Sequence, residues 1–229
     1  MLAREIFKKL KSQANPENVE GMVRFGINPQ KTYGIAIPVL RKMAKEIGQD
    51  HQLAQQLWDS GIHEAQILAS MVDESEKVSE KQMEKWVKDF DSWDVCDQVC
   101  MNLFEKVPLA SKKINDWSKR KEEFVKRTAY ALMACLAWHN KEAPDSFFVK
   151  FLLLIKKGAT DERNFVKKAV NWALRNIGKR NLALNKKAIA VAQEIQKIDS
   201  KSARWIAGDA LRELTSEAVQ KRLLVKKIK

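Results

Sequence analysis

The chain of 229 residues contains little glycine and little proline, with 8 of the first and 5 of the second. So few turn-forming residues exclude a β-sandwich, and the glycines form no phosphate-binding loop of the nucleotide-binding kinds. The longest apolar stretches, residues 129–138 and 151–155, are shorter than the roughly 18 residues that a membrane span requires. We therefore expect a chain that is helical throughout and does not enter a membrane.

Cysteine and histidine are also scarce, with three residues of each. Cys96 and Cys100 lie four positions apart rather than in a CxxC pair, and the histidines are distant from them in sequence, so we expect no metal site. The odd number of cysteines and the lack of a secretory apolar segment at the N-terminus predict reduced thiols and a cytoplasmic protein, nucleoid-associated if bacterial.

Acidic residues are outnumbered, because 42 Lys and Arg oppose 29 Asp and Glu and give a formal net charge of +13. Such a surplus predicts long-range attraction to polyanions, of which nucleic acid is the commonest. A basic surface also serves solubility, so charge alone leaves both interpretations open.

Helix signals recur along the whole chain, and no strand pattern of comparable length competes with them. Pro38 begins an apolar-periodic segment that ends at residue 47. Ser79 and Gln82 form a capping box, and Ser92 is placed to cap a helix over residues 93–106. Further helices are predicted over residues 111–118, 122–140, 144–157, 162–179, 184–198, 202–213 and 216–226.

Two of these segments repeat one another, since residues 124–127 (FVKR) recur 41 positions later as residues 165–168 (FVKK). A fainter repeat, Ala-Leu-Arg at residues 173–175, returns 37 positions later. Helix pairs that repeat at about 40 residues are typical of HEAT-like or armadillo-like solenoids. We predict an all-α solenoid of stacked antiparallel helix pairs, forming one domain over residues 1–229 with a basic C-terminal tail.

One face of the helix over residues 162–179 combines an aromatic residue with cations. Lys168, Trp172, Arg175 and Lys179 form a line beside the apolar stripe, at spacings of i, i+4, i+7 and i+11. The tryptophan can contact a sugar or base while its neighbours hold phosphates. It can equally pack on the seam between repeats beneath the stems of the cations, and both interpretations remain open.

Shifting this line back by one repeat brings Arg127 into register with Lys168. The repeat therefore predicts that Arg127 shares the cationic surface. The alternative is that Arg127 is solvated or pairs with Glu122 or Glu123.

Residues 91–97 concentrate three carboxylates in an otherwise basic chain. Trp93 and Asp97 lie one helical turn apart on a border of the apolar stripe, where a carboxylate beside an aromatic ring can stabilise a developing positive charge. Asp91 and Asp94 also favour a helix N-terminus through its dipole, which is the interpretation that we adopt for Asp94. For Asp97 a salt bridge to a lysine of the neighbouring repeat is equally open.

Several segments in a fixed order carry a resemblance to a known family. They are Met22-Val23-Arg24-Phe25, Gly34-Ile35-Ala36-Ile37-Pro38, Leu40-Arg41, Ser92-Trp93-Asp94-Val95-Cys96-Asp97, Phe124-Val125-Lys126-Arg127 and the segment from Phe165 to Arg175. In this order they resemble the DNA alkylation repair family, the AlkD-like HEAT-repeat DNA glycosylases. The resemblance implies removal of cationic N3- or N7-alkylated purines from duplex DNA, with no cofactor.

Carried over residue by residue, the catalytic aspartate of the family falls on Asp97 and its two cleft tryptophans on Trp93 and Trp172. One carboxylate fits this chemistry, because an alkylated purine leaves as a neutral base and needs no second acid to protonate it. Asp97 would stabilise the oxocarbenium-like sugar and position water. The tryptophans would hold the cationic nucleotide.

The DNA-backbone arginines of the family fall on Arg127 and Arg175. Lys168 and Lys179 are also expected to bind DNA, because they lie on the same helix face as Arg175. The chain departs from the typical pattern at Ser92, where a second aromatic residue often stands, and at Phe25, which replaces a tyrosine. The expected partner is double-stranded DNA carrying alkylated purines, and the expected state is a monomer.

Two other functions remain open. A non-catalytic HEAT-like protein that binds DNA would share every basic residue, and a protein-interaction scaffold could use the basic groove for an acidic partner.

Overall fold

A computed structural model describes the backbone of residues 2–228 and the side chains of residues 2–225. Over these residues the chain forms α-helices joined by short turns and contains no β-strand, which confirms the predicted all-α class. No helix in the described part of the chain is both long enough and apolar enough to cross a bilayer. The helices are α1 (Ala3–Ser12), α2 (Pro16–Val23), α3 (Ile37–Ile47), α4 (His51–Asp59), α5 (His63–Val72), α6 (Glu80–Asp89), α7 (Trp93–Asn102), α8 (Ala110–Trp117), α9 (Glu123–His139), α10 (Asp145–Gly158), α11 (Asn164–Gly178), α12 (Leu182–Gln196), α13 (Lys201–Leu214) and α14 (Glu217–Ile228).

Most helix boundaries follow the sequence signals. Ser79 accepts a hydrogen bond from the N–H of Gln82 at 3.1 Å, as the capping box requires, whereas the Gln82 side chain donates to Asp73 at 2.6 Å instead of closing the box. The helix predicted over residues 93–106 ends at Asn102, and a single 3₁₀ turn covers Phe104–Lys106. The helix ends because Leu103 leaves the helical region, with a φ of −126° and a ψ of −63°.

The chain divides into two units, residues 1–110 and residues 111–229. The prediction of a single domain stays a prediction.

The first unit has an aromatic core. The rings of Trp58 and Trp86 stack with centroids 3.9 Å apart and planes 3° from parallel, and Phe90 contacts Trp58 edge-on at 5.8 Å. The indole N–H of Trp58 donates to Asp89 at 2.9 Å, so its polar atom is satisfied at the rim of the core. The stack joins α4 to α6, and α5 packs against both α4 and α7.

The second unit is built around α9, which packs along α11. Nearly every side chain from Val125 to Ala137 is buried. The last residue of α10, Gly158, permits the closest approach, because a Cβ there would lie 2.0 Å from the hydroxyl of buried Tyr130. Asn176 ties α11 to α9 by donating to the carbonyl of Ala134 at 3.1 Å.

Candidate functional site

Helix α7 positions the two candidate catalytic side chains of the first unit, Trp93 and Asp97. They lie one turn apart on the helix, and both are half-buried. The indole N–H of Trp93 donates to the backbone carbonyl of Phe25 at 3.0 Å, which fixes the ring. Because the neighbouring Cys96 and Cys100 are fully buried, the pair lies at the border between core and solvent.

The carboxylate of Asp94 is bound inside the first unit. Its Oδ2 lies 2.9 Å from Nε2 of His63, an ion-pair distance, and its Oδ1 accepts the N–H of Val95 at 3.0 Å. Burial by itself lowers the pKa of His63, but the carboxylates of Asp94 and Glu64 outweigh it and raise the pKa to about 9. The helix dipole is therefore only part of the reason for an acid at this position, since Asp94 also neutralises a buried imidazolium.

Glu64 extends this network to a loop. It is fully buried and accepts hydrogen bonds from the N–H groups of Tyr33, Gly34 and Ile35 at 2.9, 2.6 and 3.2 Å. Burial would raise the pKa of Glu64, but His63 and the N–H of Tyr33 outweigh it and lower the pKa. Gly34 has a φ of +73°, and a Cβ there would lie 2.3 Å from a backbone oxygen. The network joins this loop, α5 and the first turn of α7, and so holds the helix that carries Trp93 and Asp97.

The start of α7 differs from the sequence prediction. Ser92 stands at the N-cap position, but its hydroxyl donates to Asp91 at 3.0 Å and does not cap the helix. Asp91 also accepts a hydrogen bond from the side-chain amide of Asn28 at 2.7 Å. Ser92 is therefore the N-cap residue, as predicted, but its side chain accepts no hydrogen bond from the first turn of the helix.

Helix α11 in the second unit carries the predicted line of cations. Lys168 is exposed and forms no ion pair with any residue whose side chain is described, whereas Trp172 is half-buried. The line thus begins with a lysine that is available to an anion.

The later cations of this line already have carboxylate partners on α13. Arg175 Nη1 lies 2.6 Å from Glu213 and 3.2 Å from Asp209, and Lys179 Nζ lies 2.6 Å from Glu213. Burial would raise the pKa of Glu213, but Lys179 and Arg175 outweigh it and lower the pKa. A phosphate that binds Arg175 or Lys179 must compete with these acids.

The structure contradicts the expectation that Arg127 shares the exposed surface of Lys168. Arg127 is only 5% exposed, and its Nη1 donates to the backbone carbonyl of Phe165 at 2.6 Å. The repeat register does match the two positions, but α9 is enclosed by its neighbours whereas α11 has an open face. An arginine on an enclosed helix must satisfy its donors within the protein.

Sequence reasoning did not locate the basic groove of the second unit, which is lined by Ala137, Trp138, Lys141, Asn176, Lys179, Arg180, Asn181 and Arg222. Its most exposed aromatic ring is Trp138, at the end of α9, with Lys141 three residues further along. The available signal was a tryptophan followed closely by a cation where the apolar pattern of the helix stops.

The described residues include no group of three or more His, Cys, Asp or Glu side chains arranged to hold a metal ion. Cys96, Cys100 and Cys135 are all buried.

Comparison with known proteins identifies the family of the chain. A sequence model of the DNA alkylation repair enzymes matches residues 6–214, which is most of the chain. The chain belongs to the DNA alkylation repair enzyme family. A search of curated protein sequences gave no match.

Solved structures agree with this repair-family assignment at the level of the fold. A protein from a new family related to the HEAT-like repeat DNA glycosylases, with affinity for branched DNA structures, has 18% identity and a TM-score of 0.80. That match covers 97% of this chain and 96% of the other. A designed armadillo repeat protein in complex with a (KR)4 peptide matches at a TM-score of 0.37 and 16% identity, over 81% of this chain and 88% of its own, which is too distant to carry an argument. The HEAT-like solenoid predicted from the repeats is therefore confirmed for this repair-family protein.

Within the repair family, the roles assigned to Asp97, Trp93 and Trp172, and to the four cations, stay predictions.

Proposed function

We propose that this member of the DNA alkylation repair family is a DNA glycosylase that hydrolyses the N-glycosidic bond of N3- or N7-alkylated purines in duplex DNA. The observation that carries the proposal is the position of Asp97, half-buried and one turn from an indole that is fixed by a hydrogen bond. The other two acids of the segment lie in other contacts, Asp91 with Asn28 and Asp94 with His63.

The chemistry needs one carboxylate and an aromatic surface. Alkylation at N7 or N3 places a positive charge on the purine, so the base departs neutral and the charge develops on the deoxyribose. A carboxylate at the border of a buried face stabilises that charge more strongly than one in bulk water, because the local dielectric constant is lower. Asp97 also orients the attacking water, and Trp93 holds the cationic nucleotide by cation–π contact.

The second unit supplies DNA contacts in this proposal. Lys168 binds a backbone phosphate directly, and Trp172 offers an indole edge to a sugar. Arg175 and Lys179 contact a second phosphate, which takes the place of Glu213 as their ion-pair partner. Arg127 is buried, so in this scheme it acts as a positioning residue that holds the start of α11 through the Phe165 carbonyl.

The decisive test is release of free base from a duplex that contains N7-methylguanine. Asp97→Asn is expected to lower the single-turnover rate by about 100-fold, the effect of removing one group that stabilises transition-state charge. Asp91→Asn is the matched control, because it removes the same charge from an exposed position of the same segment, and its rate should stay within about twofold of wild type.

Two results would count against the proposal. Release of base no faster than in buffer would exclude glycosylase activity on this lesion. An Asp97→Asn variant as fast as wild type, with unchanged affinity for the duplex, would show that another group performs the chemistry.

A second candidate function is a non-catalytic protein that binds DNA. The ion pairs that Arg175 and Lys179 form within the protein favour it, because they weaken binding to the backbone of an ordinary duplex. The affinity of the similar solved protein for branched DNA structures also favours it. Tight binding to a branched junction without release of any base would support it over the glycosylase.

A further inference from the structure

The second unit contains a basic groove that the proposed base-release chemistry does not use. It has a volume of about 540 Å³ and lies where α9 and α11 end, with Arg222 of α14 on one side. This volume falls within the roughly 300–1,000 Å³ of sites that bind small organic groups. The cations that line it are Lys141, Lys179, Arg180 and Arg222.

Among the residues that the structure describes, the lining of the groove includes four cations and no carboxylate. Two acids beside the lining are already engaged, since Glu213 pairs with Lys179 and Asp145 accepts a hydrogen bond from Asn181 at 2.7 Å. Lys179 is already neutralised by Glu213, but the full positive charges of Lys141, Arg180 and Arg222 outweigh the partial negative charge of the nearby helix ends, so the groove favours an anion.

Arg180 is held in place in the lining of the groove. Its Nη1 donates to the carbonyl of Ala137 at 2.8 Å, and its guanidinium lies 3.9 Å from the ring centroid of Phe148. These contacts fix the position of one of the four lining cations.

Trp138 gives the groove an aromatic wall. It is 56% exposed, more than any other tryptophan of the chain, and the ammonium of Lys141 lies 5.8 Å from its ring centroid. An exposed indole beside several cations is the combination that binds single-stranded nucleic acid, where one base stacks on the ring and the flanking phosphates meet the cations. A duplex cannot use the ring in this way, because its bases are already stacked on one another.

We propose that this groove binds an unpaired strand of DNA, with one base stacked on Trp138 and the adjoining phosphates held by Lys141 and Arg222. DNA is the expected polymer because the chain belongs to a DNA repair family. The proposal goes beyond glycosylase activity and does not depend on it.

The test is fluorescence anisotropy of a labelled oligothymidine of about 12 nucleotides, within the site size of single-strand binding modules. Trp138→Ala is expected to weaken binding by about tenfold and Trp138→Phe by less, because phenylalanine keeps a smaller stacking surface. Arg222→Ala should weaken binding and lower the slope of log affinity against log salt by about one.

The chain offers a matched control in Trp205. This tryptophan is 43% exposed and has the ammonium of Lys167 5.1 Å from its ring centroid, but it lies outside the groove. Trp205→Ala should leave oligothymidine affinity unchanged. Since Trp138 is mostly exposed, its substitution should also leave the melting temperature unchanged, which excludes misfolding as the cause of weaker binding.

Three outcomes would overturn the proposal. Trp138→Ala and Trp205→Ala could weaken binding equally, or an acidic peptide could compete as well as oligothymidine, or oligouridine could bind more tightly than oligothymidine. None of these measurements involves base release, so a protein without glycosylase activity can still pass the test and an active glycosylase can fail it.

Discussion

Replacing His63 by glutamine is expected to flatten the dependence of stability on pH in alkaline solution. The carboxylates of Asp94 and Glu64 raise the pKa of the folded His63 from 6.5 to about 9. A group that holds its proton more tightly in the folded state adds stability that is fully present below the unfolded pKa. That stability is lost as the pH rises from about 6.5 through about 9.

The size of the effect follows from the same two values. A rise in pKa from 6.5 to about 9 corresponds to about 3 kcal/mol of unfolding free energy, because each unit of pKa shift is worth about 1.4 kcal/mol. This is an upper limit, reached only when the carboxylates remain in place around the neutral ring. Against a typical domain stability of about 5–15 kcal/mol, the loss is large enough to measure.

The assay is urea unfolding of the wild type and of His63→Gln between about pH 6 and about pH 10. The wild type should lose up to about 3 kcal/mol over this range, and the variant should lose much less. Groups common to both proteins cancel in the difference. His139→Gln, which removes an exposed histidine of the second unit, is the matched control for the loss of a histidine side chain. Equal slopes for wild type and His63→Gln would refute the assignment of a buried imidazolium.

Three further predictions concern the second unit. Gly158→Ala should lower the unfolding free energy by about 1–2 kcal/mol, because the new methyl group collides with the Tyr130 hydroxyl, and adding Tyr130→Phe should restore part of the loss in the same urea titration. Asp161→Asn should cost about 2 kcal/mol at neutral pH: burial raises the pKa of this acid, but hydrogen bonds from Arg163 and Lys126 outweigh it and lower the pKa, so its stabilising effect is present above the ordinary value of 3.8. The difference between the urea midpoints of Asp161→Asn and of the wild type should therefore shrink as the buffer is made more acidic. A difference that does not change with pH would contradict this explanation. Lys168→Ala should weaken duplex binding and lower its salt slope by about one in a filter-binding titration, whereas an unchanged slope would show that Lys168 touches no phosphate.

The helices were predictable because apolar periodicity and caps are local properties of the chain. Pro38, for example, lies in the first turn of α3, whose end at residue 47 agrees with the prediction. The end of α7 at Asn102 was missed because apolar residues continue at helical spacing through Leu103 and Phe104 after the backbone has left the helix. Periodicity describes which face is apolar and does not describe where a turn tightens.

The candidate site was only partly predictable, since partners distant in sequence depend on tertiary packing. The border position of Trp93 and Asp97 follows from helical spacing alone. The pairing of Asp94 with His63 joins residues 31 positions apart, and no local pattern indicates it. The burial of Arg127 was missed for the same reason, because the repeat register identifies equivalent positions and cannot tell an enclosed helix from one with an open face.

The parallel stack of Trp58 on Trp86 has an optical consequence. Two indoles with centroids 3.9 Å apart and planes 3° from parallel couple their excited states, so the near-ultraviolet absorption of the first unit should depend on the stack. Because the coupling requires both rings in contact, its loss would report the separation of α4 from α6 independently of the helical signal of the whole chain.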